Sequence, residues 1–463
     1  MAEKMHQIGK GQKSEILSRL NIAVEVPPLP EPLFPIEKNK IVKKPQDYAW
    51  NHAKTELQEI VAKLTASEAA YVTEARVNIP ADFALACYSL ASTLKKSPQQ
   101  IAQDLAEKFN ENNYLPEIKT AKADSGYLNF ELDPKPFSDK VINEIEDSGD
   151  NYGNQNIGEG KTIVIDCSSP NIAKFMSVGH LRSTVIGESL ARLYKANGYT
   201  VVRDNHLGDW GTQFGMLGRA HELWGDEIPE LKTGKDTVQG LYKLYVKMHD
   251  EVEKQKEANP EGESTLEREG RAWFRRLEEG DPKAMEMLNW STRQSLGEFQ
   301  RIYDLLDARF EYMLGESYYV KMLPSVFKSL SEKKVTEKDE EGAVVVNFKE
   351  SDKLSRLVVQ KSDGASLYAS RDLAALAART KWFDPEKIIY VVGGDQTEYF
   401  KQVFKTFENW TDGKGPKVEH VGFGMISLPE GKMSTRRGRV VFLEDEGALA
   451  GVGLSKLECD FEW

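Results

Sequence analysis

Between residues 161 and 205 the chain reads as strand, loop, helix and second strand, and no other stretch constrains the fold as much. KTIVIDC (Lys161–Cys167) is short and rich in β-branched residues, which favour a strand. The loop SSPNIAKFMSVGHLRS follows, then a helical pattern that runs to Asn197-Gly198, then a second strand in YTVVRDN. A strand that returns parallel to its predecessor through a helix is a βαβ unit, the start of a nucleotide-binding sheet. The fold class expected is therefore α/β: a Rossmann-like, doubly wound parallel-sheet catalytic domain with a helical insertion, plus a small α+β N-terminal domain.

The rest of the chain is arranged around that unit. Residues 1–47 are read as a tail and a linker, because VPPLPEPLFP (Val26–Pro35) fixes φ repeatedly and removes amide donors. Residues 48–150 are read as the small α+β domain. ELQEIVAKL has helical spacing, ADFALACYSLASTL (Ala81–Leu94) reads as a buried helix, Ser97-Pro98 opens another helix, and SGYLNFEL alternates like a strand. Residues 151–445 hold the catalytic domain, interrupted at about 220–335 by charged helical segments. Strand-like runs resume at AVVVNF, RLVVQ and KIIYVVGG.

Composition removes several function classes. No apolar run reaches the roughly 18 residues of a membrane span, so no membrane partner is expected. The N-terminus has the pattern of neither a secretory signal nor a transit peptide. Cys87, Cys167 and Cys459 are too dispersed for a metal knuckle, and their odd number argues against a disulfide framework. A reducing, cytoplasmic setting is the expectation. With 61 Lys+Arg against 73 Asp+Glu, the net charge of −12 argues against broad coating of nucleic acid. Docking of one RNA on local basic patches stays open, with Lys95, Lys96 and Lys108 as candidates on the N-terminal domain.

Chemistry concentrates where the first strand gives way to the helix. Ser168-Ser169-Pro170-Asn171, Lys174 and Val178-Gly179-His180-Leu181-Arg182-Ser183-Thr184 surround a helix start, where free amides favour anions and glycine admits a phosphate. A Gly-His pair there says little alone, since a histidine capping a helix or filling a core is commoner. Two further strings change the balance: Asn205-His206-Leu207-Gly208-Asp209-Trp210-Gly211-Thr212-Gln213-Phe214-Gly215, and Gly431-Lys432-Met433-Ser434-Thr435-Arg436-Arg437-Gly438.

In that order, the three strings resemble the arginyl-tRNA synthetases, a family of class I aminoacyl-tRNA synthetases. VGHLRS is similar to the class's HIGH element and KMSTR to its KMSKS element, and LGDWGTQFG resembles a string of the arginine enzymes. The resemblance runs from about Tyr48 to Asp445. It implies an arginine–tRNA ligase that activates L-arginine with ATP, carried with Mg2+, to arginyl-adenylate. Arginine then passes to the terminal adenosine of tRNA(Arg) for translation. No metal held by the protein itself is expected, and a monomer is.

The resemblance also implies roles. Asp166 and Asp372 face the guanidinium, Tyr368 flanks it, and Ser169, Asn171 and Gln396 hold the α-amino and carboxylate groups; Pro170 and His180 complete the arginine set. A guanidinium carries five donors and a permanent charge, so its site needs carboxylates. Tyr368 and Asp372 are four apart, one face of a helix, where the ring can offer a cation–π contact. The alternative for this pair is that Asp372 pairs with Arg371 or caps a helix and that Tyr368 is core. ATP is assigned to Val178, Gly179, His180, Gly394, Asp395, Met425, Lys432, Met433 and Ser434. Catalysis is assigned to His180, Lys174, Lys432 and Ser434. Gly393-Gly394-Asp395-Gln396 follows the strand IIYVV, at the carboxyl edge where open α/β sheets bind ligands.

The sequence departs from the family pattern in three places. Ser177 stands for the first histidine of the HIGH element. Thr435 stands for the second lysine of KMSKS, a loss that Lys174 is expected to offset. After Asp445 the family continues into a helical anticodon-binding domain, whereas residues 446–463 read as a divergent tail. Two alternatives follow: a HIGH-type enzyme forming an acyl-adenylate on another acceptor, and a truncated, weak or inactive form acting as a binding or assembly partner.

Overall fold

The structure, a computed structural model, describes Leu20, residues 22–260 and 262–424, and beyond them the strands Ile426–Leu428, Gly431–Lys432 and Glu458–Cys459. The chain divides into two compact units, Asn39–Gly160 with Ala196–Tyr199, and the described residues on either side of them.

The first unit is an α+β sandwich. Helix α1 (Ala49–Thr65) buries Ala53, Leu57 and Val61, one position per turn, against the sheet. Strands β1 (Val72–Glu74) and β2 (Phe83–Ala86) precede helix α2 (Pro98–Glu111). Ser97 caps α2 by accepting the Gln100 amide at 3.2 Å. Strands β3 (Ile118–Asp124) and β4 (Tyr127–Leu132) complete an antiparallel sheet of order β1-β2-β4-β3, and helix α3 (Pro134–Ser148) follows. The run expected as a buried helix at 81–94 is instead β2, one 3-10 turn and a single helical turn. Phe83, Leu85 and Cys87 are buried while their neighbours are less so, a period of two that an alanine-rich composition masked.

The second unit contains the parallel sheet. Strand β5 (Thr162–Asp166) leads into helix α4 (Val178–Ala196) and strand β6 (Thr200–Asp204). Four long helices follow: α5 (Thr212–Trp224), α6 (Thr237–Ala258), α7 (Thr265–Glu278) and α8 (Pro282–Leu305). The chain continues through α9 (Glu316–Tyr319) and α10 (Leu323–Glu332). Strands β7 (Glu337–Lys338), β8 (Val344–Val346) and β9 (Leu357–Gln360) do not rejoin the parallel sheet; they pair with one another, antiparallel. Helix α11 (Tyr368–Phe383) buries every residue from Leu373 to Thr380, as expected of a helix apolar nearly all round. Strand β10 (Lys387–Gly393), helix α12 (Thr397–Trp410) and strand β11 (Lys417–Phe423) complete the unit. The later segments form a small antiparallel sheet with β12 (Ile426–Leu428) between β13 (Gly431–Lys432) and β14 (Glu458–Cys459).

The order β11-β10-β5-β6 positions the site. From β5 the chain steps outward to β6, and from β10 it steps outward the other way to β11. The connections after β5 and β10 therefore diverge, and a crevice opens at their carboxyl ends, where Asp166 is level with Tyr390.

The proline-rich segment differs from a free linker. It is extended, as its prolines require, but Leu20, Ile22 and Val24 are buried in the core beneath α10 and α11. Trp382 Nε1 donates to the Pro27 carbonyl at 3.0 Å, and the Tyr318 hydroxyl donates to Pro28 at 2.8 Å. Three buried aliphatic side chains contribute roughly 1.5–3 kcal/mol each, enough to hold the segment down.

Candidate active site

A cavity of about 790 Å³ lies at the diverging ends of β5 and β10. Its wall is built mainly by the loop after β5. Ser168, Ser169 and Ala173 have φ of 74°, 49° and 60°, left-handed values that a non-glycine residue adopts only when its surroundings enforce them. The surroundings do so here. Ser183 Oγ accepts the Ser168 amide at 2.8 Å, and Asn205 Oδ1 accepts the Ser169 amide at 3.0 Å. Ser295 Oγ accepts the Ala173 amide at 2.8 Å. Gly208 exchanges backbone hydrogen bonds with Pro170 and Ile172, each at 3.1 Å. A Cβ at Gly208 would stand 2.0 Å from Asn171 Oδ1, so the loop can lie this close only against glycine.

The LGDWGTQFG string is therefore largely a packing device. Gly215 lets α5 approach α7 so closely that a Cβ would meet the Gly270 carbonyl at 2.1 Å. Trp210 and Phe214 fill the core shared with Trp273 and Leu277.

Of the residues expected at an arginine or nucleotide site, the cavity brings together Asp166, Ser169, Asn171, Gly179, His180, Tyr368, Asp372, Asp395 and Gln396. Pro170 is buried behind the wall, and Gly394 sits beside it, where a Cβ would reach the Phe423 carbonyl at 3.3 Å. Val178 opens α4, and Lys432 lies in β13, paired with Ser427 of β12. Met425, Met433 and Ser434 lie outside the described residues. Lys174 is not brought to the cavity: its ammonium lies 4.2 Å from the Tyr245 ring centroid and 3.5 Å from Gln213 Oε1.

His180 is held in one tautomer. Its Nδ1 accepts the Ser177 amide at 2.9 Å and lies 3.1 Å from the Ser177 hydroxyl, which leaves the hydrogen on Nε2. Burial, aided by the Lys174 charge, pushes the imidazole down to about pKa 4. At neutral pH it is an uncharged hydrogen-bond donor rather than a cation. Ser177 thus supplies, chiefly through its backbone amide, the bond that orients His180, the fourth residue of the same element.

The carboxylates differ sharply in what they face. Asp166 is paired inside the protein with fully buried Arg379, 2.7 Å away, and Ser169 Oγ donates to its other oxygen at 3.0 Å. The same guanidinium bonds Asp204 at 2.9 Å and the Tyr390 hydroxyl at 3.0 Å. Arg371 does not pair with Asp372: it bonds Glu316 at 2.9 Å and lies 4.9 Å from the centroid of the Tyr368 ring. That ring was expected to flank a ligand's guanidinium, and here a face of it already carries Arg371. Asp372, half-buried in the wall, differs from the buried Asp166 and Glu316 in having no lysine or arginine partner among the described residues. The Tyr399 hydroxyl donates to its Oδ2, and His206 Nε2 lies 3.9 Å from Oδ1. Burial pushes Asp372 up to about pKa 6, with the Asp166 charge adding to the rise and the Tyr399 bond opposing it.

The cavity also contains Tyr399 and Glu316, which sequence reasoning did not single out, and His206 and Arg182, which lay within its motif strings without an assigned role. The position of His206, two residues past the end of β6, was a signal of the same kind as that of Gly393–Gln396. No group of three or more metal-ligating side chains occurs among the described residues. None of their helices is long and apolar enough to cross a membrane.

Comparison with known proteins gives the family. Residues 142–450 match the family model described as tRNA synthetases class I (R), catalytic domain, and residues 51–132 match the arginyl tRNA synthetase N terminal domain. The arginine–tRNA ligase of Clostridioides difficile (strain 630) is 41% identical over 378 residues, 80% of this chain and 64% of its own length. That of Clostridium perfringens (strain 13 / Type A) is 43% identical over 364 residues, 79% of this chain and 61% of its own length. The crystal structure of arginyl-tRNA synthetase from Plasmodium falciparum superposes with a TM-score of 0.56 at 28% identity, covering 83% of this chain and 66% of that one. The chain spans somewhat under two thirds of the length of these curated relatives.

Proposed function

The chain belongs to the arginyl-tRNA synthetase family of class I synthetases, and on that premise we propose that it is an arginine–tRNA ligase whose amino-acid site is the cavity between β5 and β10. ATP, with its Mg2+, and L-arginine are the substrates of the first step. The α-carboxylate of arginine attacks the α-phosphorus of ATP, and pyrophosphate leaves. In the second step a hydroxyl of the terminal ribose of tRNA(Arg) attacks the carbonyl carbon, and AMP leaves. Neither step requires a covalent bond to the protein, so rate enhancement comes from positioning and from dipoles fixed toward the developing charge.

Asp372 is the observation that carries the reading. A carboxylate largely withdrawn from water without a cationic partner is costly, and its raised pKa reflects that cost. A ligand guanidinium entering the cavity would supply the missing charge. Asp166, already neutralised by Arg379, shapes the site through Ser169 and contributes less net charge. Ser169, Asn171 and Gln396 line the same cavity and are proposed to hold the α-amino and carboxylate groups. His180 Nε2 is the fixed donor for the reacting carboxylate and phosphate oxygens, beside Gly179. Lys432 and Ser434 are proposed to orient the leaving pyrophosphate; Lys174, held outside the cavity against Tyr245 and Gln213, would have to leave those contacts to reach the phosphates. Of the RNA-docking candidates on the N-terminal unit, Lys96 is engaged with Asp104 at 2.5 Å, which leaves Lys95 and Lys108 as the better ones. The two free buried cysteines, Cys87 and Cys167, suit the cytoplasm.

The test is pyrophosphate exchange with each amino acid in turn, with and without total tRNA. Arginine is expected to support exchange, and labelled arginine to become acid-precipitable with tRNA. Exchange that prefers lysine, glutamate or glutamine would reject the assignment.

A further inference from the structure

His206 is the one cavity-lining side chain whose polar atoms are all buried and unbonded among the described residues: neither Nδ1 nor Nε2 reaches a hydrogen-bond partner. Its ring is held in place by packing, 5.4 Å from the centroid of Tyr319 and tilted by 33°. Buried polar atoms are nearly always satisfied, and one that is not calls for a reason. The surroundings supply it. Nε2 stands 3.9 Å from Asp372 Oδ1, the oxygen that the Tyr399 hydroxyl leaves open. That gap is too long for the two atoms to bond each other. A ligand that places an N–H on each atom would satisfy both, and the planar fork of a guanidinium, with its five donors, can do so while bonding further acceptors of the cavity.

We propose that His206 is a specificity-determining ligand of the substrate, accepting one N–H of the arginine guanidinium while Asp372 Oδ1 accepts its neighbour. This rests on the reading of the cavity as an arginine site. The groups that face the imidazole are Asp166, Asp372, Arg371 and Arg379. Burial pushes the imidazole down to about pKa 4, with the Arg379 and Arg371 charges adding to the fall and the Asp166 charge opposing it, so at neutral pH it is uncharged and keeps one bare nitrogen as acceptor. A protonated imidazole would repel the ligand; a neutral one adds an acceptor without adding charge. Asp372 alone would attract any cation of the right length. The pair reads the shape of the cation as well as its sign.

The test is equilibrium binding of arginine and of lysine to the full chain at neutral pH, comparing wild type with His206→Phe and His206→Gln. Phenylalanine keeps the ring against Tyr319 and removes the acceptor; glutamine restores an acceptor oxygen. The expected result is at least tenfold weaker arginine binding by His206→Phe, little change for lysine, an unchanged ATP affinity, and partial recovery in His206→Gln. Equal loss for both amino acids, or arginine affinity within twofold of wild type, would overturn the proposal. A wild type that binds arginine while the variant does too rejects only the role of His206; a wild type that binds no arginine rejects the site itself. A measurement on the unaltered protein guards against a misfolded variant: with 15N-labelled histidine, the His206 resonance, assigned by its absence from the His206→Gln spectrum and so told apart from that of His180, is expected to shift on arginine saturation, and no shift would contradict the role.

Discussion

Replacing Asp372 by asparagine is expected to stabilise the ligand-free protein while abolishing its affinity for arginine. Asparagine is nearly isosteric and keeps an oxygen for the Tyr399 hydroxyl; it removes only the charge. The side chain is 16% exposed, so the charge is poorly solvated. Its carboxyl rises from 3.8 to about 6, roughly 2 units at about 1.36 kcal/mol each, or up to about 3 kcal/mol. A carboxyl whose folded pKa exceeds its unfolded value binds more protons folded than unfolded. Folding is then penalised as pH rises past 3.8, and the penalty is full above about 6. The variant should therefore gain up to about 3 kcal/mol near pH 7 and nothing below pH ~4. Denaturant unfolding followed by tryptophan fluorescence at the two pH values measures the difference, and calorimetric titration measures arginine. Wild-type affinity should fall about tenfold from pH 7 to pH 5, as Asp372 takes up its proton, while the variant binds weakly throughout. A variant less stable than wild type at pH 7, or one that binds arginine within tenfold of the wild-type affinity at that pH, would refute the reasoning.

Three other perturbations separate the parts of the site. Arg379→Met should destabilise by roughly 3–5 kcal/mol, because it leaves Asp166 and Asp204 buried without a cation; a denaturant midpoint close to wild type would contradict this. Gly208→Ala should weaken arginine binding with helix content unchanged by circular dichroism, since the new methyl displaces Asn171; unaltered binding would show that the loop tolerates the shift. His180→Ala should lower turnover by about 100-fold or more, with substrate affinities little changed, whereas Ser177→Ala should cost only a few-fold because the backbone amide still orients Nδ1. Comparable losses in the two variants would assign the hydroxyl a larger part.

The sheet was legible because β-branched runs and a glycine-bounded helix leave few alternatives, and so was the position of the site at its carboxyl edge. The Phe83–Ala86 strand was not, because alanines between buried positions erase the contrast on which periodicity depends. The proline-rich segment showed its extended form but not its docking, which depends on Trp382 and Tyr318 more than 280 residues away. Among the site residues, a motif points to His180 and the family resemblance to Asp372, but neither says which carboxylate is already neutralised. That division depends on Arg379 reaching back from α11 to the ends of β5 and β6. His206 escaped notice because its interest lies in the partners it lacks, and a sequence does not show partners.

The most direct measurement compares arginine with citrulline, its neutral near-isostere, in calorimetric titration of the wild-type chain at pH 7. If Asp372 is the charge that the ligand must answer, arginine binds and citrulline does not. Equal binding of the two, or of neither, would contradict the account.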